Sequence, residues 1–179
     1  MVIALVGRRI DPSDLALPVF PYTAVQRVRK RIHDILKDSD AKALVCSAAC
    51  GADLIALEAA GELGIRRRIV LPFEPARFRE TSVTDRPGDW GPAFDRILEE
   101  VKAKHDLVSL NMDQDTEESY LQANQVILNE AISLAATSGD RVLAALVWNG
   151  ISRSDNDITN AFGNTARSLG LQVLEVSTF

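Results

Sequence analysis

Ala43-Leu44-Val45-Cys46-Ser47-Ala48-Ala49-Cys50-Gly51-Ala52-Asp53-Leu54-Ile55-Ala56-Leu57-Glu58-Ala59-Ala60 reads as a short strand, a tight turn of small residues and a helix. Leu44, Val45 and Cys46 are continuously apolar, as in a strand covered on both faces. Ser47, Ala48, Ala49 and Gly51 have no side chain long enough to keep a ligand off the backbone. The helix that follows carries Leu54, Ile55, Leu57, Ala59 and Ala60, and Gly64 can close it at the position after its C-cap. Such a turn presents backbone N–H groups and the positive end of a helix dipole, which together suit an anion. A plain βα turn with no ligand is the competing reading, because a single glycine-containing turn is a weak signal.

Working outward, the same alternation recurs. Val2 to Val6 form a strand ending in Gly7-Arg8-Arg9, where Gly7 permits an unusual φ/ψ and two arginines reach the strand's C-terminal rim. Pro12, Pro18 and Pro21 make the next stretch a connector. Val25, Val28, Ile32, Ile35 and Leu36 then form one helical stripe, with Arg27, Arg29, Lys30, Arg31 and Lys37 on a solvated basic face. After the central unit, Arg66-Arg67-Arg68 leads into a strand, Ile69 to Leu71. Glu74 to Pro92 is long for a connection, so it reads as a binding loop or lid, with Phe78 and Trp90 either stacked on a planar ring or pinned to the core. A helix from Ala93 to Lys104 and a short strand from Asp106 to Leu110 follow. Asp115 and Glu118 resemble a capping box for a helix ended by Gly139, in which Asn124 and Gln125 interrupt the apolar stripe. Arg141 to Trp148 is the clearest buried strand. Asn149-Gly150, a polar turn, a helix from Ile158 to Leu169 and a strand from Leu171 to Val176 complete the chain.

Strand and helix alternating in this way predict an α/β fold, a doubly wound and mostly parallel Rossmann-like sheet with helices on both faces, forming a single domain over 1–179. Right-handed crossovers bring every strand's C-terminal end to one rim. That rim collects Gly7-Arg8-Arg9, Ser47 to Asp53, Pro72-Phe73 with the long loop, and Asn149-Gly150 with Asp155 to Thr159. Ligands of doubly wound sheets bind there, where strand order reverses.

Composition narrows the class. The net charge of −5 makes the whole-molecule field repel nucleic acid and anionic membranes, while leaving room for a small anion held by local arginines. The apolar runs are strand-sized, so no membrane span is expected. Met1 to Val6 reads as a strand and not a leader peptide, which places the protein in the cytoplasm by default. The two cysteines, Cys46 and Cys50, and two distant histidines, His33 and His105, do not have the spacing of a zinc site, so no metal is expected and the cysteines read as buried free thiols. No hydrolase triad or Walker loop is visible.

The strand with Gly7-Arg8-Arg9, the Ser47-to-Asp53 turn, Trp148-Asn149-Gly150, the polar turn through Asp157 and Thr159, and the helix ending Ala166-Arg167-Ser168-Leu169-Gly170 together resemble the SLOG superfamily. These Rossmann-like domains include the Lonely Guy phosphoribohydrolases, the DNA-processing Smf proteins and sensors attached to bacterial immune effectors. The central segment also resembles modules found beside cyclase and TIR domains. The resemblance implies that a nucleotide or nucleotide-derived signal, NAD-derived ones included, is sensed over the turn of Ser47 and Gly51. On that view Gly7, Arg8, Arg9, Ser47, Ala48, Gly51 and Asp53 form a primary pocket beside Phe73. Gly150, Asp157 and Thr159 form its far wall, and Arg77 and Arg79 close over the anion. No cofactor beyond that ligand is implied; a homodimer and an effector or cyclase partner are.

The chain departs from the Lonely Guy pattern, whose Pro-Gly-Gly-x-Gly-Thr-x-x-Glu motif supplies a glutamate for N-glycosidic cleavage. Gly150 is the only glycine in the corresponding turn, and Asp155 and Asp157 stand where the motif would be. A hydrolase reading therefore needs another carboxylate, for which Asp53, Asp157 and Glu58 are candidates. Asp53, early in its helix, can instead cap the turn or bond a ribose hydroxyl. A single-strand DNA-binding module and a purely structural assembly domain are the remaining alternatives.

Overall fold

The chain alternates strand and helix from β1 (Val2–Gly7) to β6 (Gln172–Ser177) in a computed structural model that describes residues 1–113, 115–154 and 157–179. The reading of Asp155 as a motif-position carboxylate lies outside the described residues. Between the outer strands come β2 (Ala43–Cys46), β3 (Arg66–Leu71), β4 (Leu107–Ser109) and β5 (Val142–Trp148). All pair in parallel, in the order β4-β3-β2-β1-β5-β6. The chain winds one way from β1 to β4 and then resumes on the other side, so the order reverses between β1 and β5. The fold is the expected Rossmann-like α/β sheet, and every pairing in it is parallel.

The period-two alternation of the strands sorts side chains into two apolar layers. Ile3 and Leu5 of β1, Leu44 of β2 and Leu143 of β5 face a layer closed by α1 (Val25–Asp38), α2 (Ala52–Glu62) and α4 (Gly91–Lys102). Val2, Ala4 and Val6, with Val45 and Ala144, face the layer under α5 (Glu117–Ser138) and α6 (Ile158–Ser168). Val28, Ile32 and Leu36 are the buried residues of the α1 stripe. The α2 helix is buried along almost its whole length, with only Glu58 among residues 52–60 partly exposed, because it lies between the sheet, α1 and α4.

Four elements depart from the sequence reading. β3 begins at Arg66, before Ile69, because carboxylates neutralise its three arginines. Arg66 and Arg68 both donate to the buried Asp106, Arg68 also to Glu130, and Arg67 to Glu100. The first half of the expected long loop is helical: α3 (Pro75–Phe78) runs into a π-helical turn over Arg79–Val83. Its aromatics are pinned to the core, with Phe78 stacked on Phe94 at 6.2 Å and Trp90 edge-on to Tyr22 at 6.4 Å. Trp90 also donates its indole N–H to the Pro87 carbonyl at 2.8 Å. Thr116, not Asp115, caps α5, accepting from the Ser119 N–H. Gly7 has no positive φ; it is required for close approach, since a Cβ there would lie 2.4 Å from that of Ala52.

The closing glycines behave as read. Gly139 follows α5 in the left-handed conformation at φ 70°, and Gly64 follows α2 at φ 68°. Among the described residues, no helix is long and apolar enough to cross a membrane.

Candidate functional site

A cavity of about 780 Å³ opens at the β1/β5 reversal, on the C-terminal rim of the sheet. Its floor is the end of β1 with the segment running on from it, Val6 to Pro12. The central turn and α2 contribute Ser47, Ala49 and Asp53, and the segment after α3 contributes Thr81, Ser82 and Arg86. Tyr120 and Asn124 of α5 and the stretch from Asp157 to Thr159 form the facing wall, next to Arg153.

Arg8 is the anchor of this floor. It is 5% exposed and joined to Asp157, whose side chain is 1% exposed, by an ion pair of 2.7 Å. The same guanidinium donates to the Ile151 carbonyl at 2.8 Å and the Thr159 hydroxyl at 3.4 Å, and lies over the Trp148 ring. Asp157 is the N-cap of α6, accepting from the Thr159 and Asn160 N–H groups at 3.0 Å each. It also accepts from the Arg153 N–H at 2.8 Å. Burial pushes its carboxyl up, but Arg8 and the amides of Arg153 and Asn160 outweigh burial and hold it below its ordinary value. With its oxygens so occupied, Asp157 is a clamp that ties β1 to α6. It has no free oxygen with which to activate water.

Asp53 is the opposite case. Its carboxyl, 7% exposed, accepts one hydrogen bond among the described residues, from the Ala49 N–H at 3.2 Å. Burial raises it from 3.8 to about 7, only partly offset by that bond and by the charge of Arg9. Asp53 therefore closes the turn, as one sequence reading had it, and stands in the cavity wall with a midpoint of titration close to neutral pH.

The small residues of the turn serve the protein's own backbone. Gly51 has φ 102°, and a Cβ there would sit 2.8 Å from both the Arg8 carbonyl and the Ile10 nitrogen. Gly51 also bridges to Arg9, and the Ala52 N–H donates to the Arg8 carbonyl at 3.1 Å. The Cys50 N–H donates to the Ser82 carbonyl at 3.0 Å. Three amides of the expected anion cradle, those of Ala49, Cys50 and Ala52, are thus spent inside the fold. Both cysteines are free and buried, and burial pushes the Cys50 thiol up to about 11.

Of the residues the sequence nominated, the structure gathers Gly7, Arg8, Arg9, Ser47, Asp53, Asp157 and Thr159 around the cavity. The others lie outside its lining. Ala48 and Phe73 are core residues at 1% and 0% exposure, and Gly51 is covered by residues 8–10. Arg77 lies over the Phe73 ring and donates to the Asp113 carbonyl, and Arg79 forms a two-pronged pair with Asp95. A Cβ on Gly150 would meet nothing within 4 Å. Glu58 pairs with Arg29 and Arg96 on the outer side of α2.

The structure adds Asp11, Arg86, Arg153 and Tyr120. Asn124 was visible in the sequence as a polar break in an apolar stripe, and its amide donates to the Ile158 carbonyl at 3.3 Å. Tyr120 packs edge-on to Phe73 while its hydroxyl meets that of Ser82 at 3.2 Å. Arg153 sits in a polar turn that carries no local signal.

Two polar atoms of cavity-lining residues, Arg8 Nε and Ser47 Oγ, are buried with no hydrogen-bond partner among the described residues. Buried polar groups are nearly always paired, so these two are notable. The Arg153 guanidinium also has no hydrogen-bond acceptor among the described residues, and burial beside Arg8 lowers its proton affinity.

Fold and site together define a doubly wound, Rossmann-like α/β protein with a cavity of mixed apolar and charged lining at its topological switch point. No family model and no curated protein matches the chain. Among solved structures, the chain is similar to "DNA processing protein A (DprA) from Streptococcus pneumoniae", at a TM-score of 0.45 and 15% identity. The alignment covers 97% of this chain and 58% of that one, so the chain spans less than two thirds of its length.

Proposed function

We propose that this protein binds a nucleotide-derived small molecule in the switch-point cavity and acts as a sensor of it. The observation that carries the reading is the pair of buried polar atoms, Arg8 Nε and Ser47 Oγ, without a partner among the described residues and on residues lining a cavity of about 780 Å³. That volume suits a mononucleotide or a somewhat larger ligand. Arg153 supplies an accessible cation, and Tyr120 and Asn124 supply polar groups on the facing wall. The position at the reversal of strand order is where doubly wound sheets hold ligands. The resemblance to SLOG domains points the same way.

Thermal shift against nucleoside phosphates, cyclic nucleotides, NAD and ADP-ribose tests the proposal. A compound at ~100 times its dissociation constant adds roughly 2.7 kcal/mol, a shift of about 5–10 °C for a chain of this size. A hit that weakens in Arg153→Ala and Ser47→Ala supports the reading. No shift with any of them refutes it and leaves an assembly role.

A second reading has one observation in its favour. Asp53, poised at about 7, suits proton transfer to a departing base in N-glycosidic hydrolysis. Base release from a bound compound, lost in Asp53→Asn, would establish turnover; binding without release leaves the sensor.

A further inference from the structure

The charge of the cavity and the loop across its mouth restrict the kind of ligand, on the premise that the cavity binds one. Its arginines are mostly committed. Arg8 is matched by Asp157. Arg9 and Arg86 converge on the single carboxylate of Asp85, at 2.8 and 3.2 Å. Arg153 alone has no hydrogen-bonded acceptor among the described residues, and it already feels the charges of Asp157 and Asp11. Asp115 and Glu117 add negative charge to the α5 side of the lining. Five amides at the two helix starts are bonded internally: those of Ala49, Cys50 and Ala52 before and in α2 to Asp53, Ser82 and Arg8, and those of Thr159 and Asn160 in α6 to Asp157. A diphosphate or triphosphate would bring three or four negative charges, against about two for a monophosphate, to a lining in which Arg153 is the one cation without an acceptor among the described residues.

The other feature is apolar. Residues 11–20 form a strap whose base is closed by Asp11. Its carboxylate accepts from the Val19 and Phe20 N–H groups at 2.8 Å each, and its own N–H donates to the Phe20 carbonyl at 3.0 Å. Between these ties, Pro12, Leu15 and Leu17 line the cavity, with Leu15 42% and Leu17 82% exposed. Large aliphatic side chains this exposed at a cavity mouth gain free energy by covering a non-polar surface. A rigid loop base beneath them keeps the cost of ordering them low.

We infer that the strap is a binding subsite for the apolar face of a planar ring, and that the cavity selects amphipathic ligands with one anionic group near Arg153 and a ring under Leu15 and Leu17. The subsite rests on the proposed binding function and adds the ligand class to it. Polyphosphates are disfavoured by charge, and sugar phosphates without a ring leave the strap uncovered.

The experiment is calorimetric titration of the protein with the four common nucleoside 5′-monophosphates, ATP and ribose 5-phosphate. The variant Leu15→Ser/Leu17→Ser is compared with the parent; both positions are exposed, so its fold is retained, as circular dichroism verifies. The expected result is that at least one monophosphate binds about tenfold or more tightly than ATP and ribose 5-phosphate. The double variant then loses about tenfold for that monophosphate and changes little for ribose 5-phosphate. ATP binding as tightly as the best monophosphate, or a double variant that binds it as the parent does, overturns the inference while leaving nucleotide binding in place. No binding of any of these compounds or of the wider nucleotide panel overturns both.

Discussion

Replacing Asp53 with asparagine is expected to stabilise the protein by an amount that grows with pH. The carboxyl titrates at 3.8 in the unfolded chain and at about 7 in the folded one, so folding favours its protonated form. A raised carboxyl acts against stability once ionised: its cost is absent below the unfolded value, appears as pH rises above 3.8 and is complete above about 7. At ~1.4 kcal/mol per tenfold, the gap corresponds to about 4 kcal/mol. Roughly 3 kcal/mol of it develops between pH 5 and 8.5. That is a large share of a typical domain's stability. Asparagine keeps an oxygen for the Ala49 N–H and carries no charge to desolvate. Urea denaturation of both proteins across that pH range is the assay, and the difference between them isolates Asp53 from other carboxylates. A stability difference that stays flat from pH 5 to 8.5 would refute the argument that burial dominates at this residue.

Three further outcomes test the scaffold around the cavity. Asp157→Ala strands the buried Arg8 charge and uncaps α6, so urea denaturation should show a loss of about 3–5 kcal/mol. Because the folded Asp157 carboxyl lies below its ordinary 3.8, its contribution is present above that value and vanishes as the pH falls through the lower folded value, opposite in sign to Asp53. Gly51→Ala and Gly139→Ala both impose a positive φ on a side chain, but only Gly51 would also place its Cβ 2.8 Å from neighbouring backbone. Denaturation midpoints should therefore drop by the equivalent of about 1–2 kcal/mol at Gly139 and distinctly more at Gly51; equal losses would contradict the close-approach role.

The local code was legible in the sequence because its causes are local. Continuous apolar runs marked β1, β2 and β5, the 3.6-residue stripe marked α1, and Gly64 and Gly139 marked helix ends. Their alternation was enough to give a parallel doubly wound sheet, since parallel strands need the helical crossovers that the pattern supplies. Arg8, Ser47, Asp53 and Asp157 could be nominated because strand ends and helix starts are recognisable and converge on one rim.

Tertiary structure decided what each of those residues is free to do. Gly51 looks like an opening for a ligand until residues 8–10 are seen lying against it. Arg77 and Arg79 have the right chemistry for an anion, yet the helical course of residues 75–83 turns them to Asp113 and Asp95. Asp53 and Asp157 are the same amino acid at the start of a helix, and the number of donors around each sends one up and the other down. Such contacts join positions as distant as Arg8 and Asp157, so no window of sequence contains them. The residue types and their rim were set by the chain alone; their pairing, charge state and access to the cavity came from the packing of β1 against α2, β5 and the start of α6.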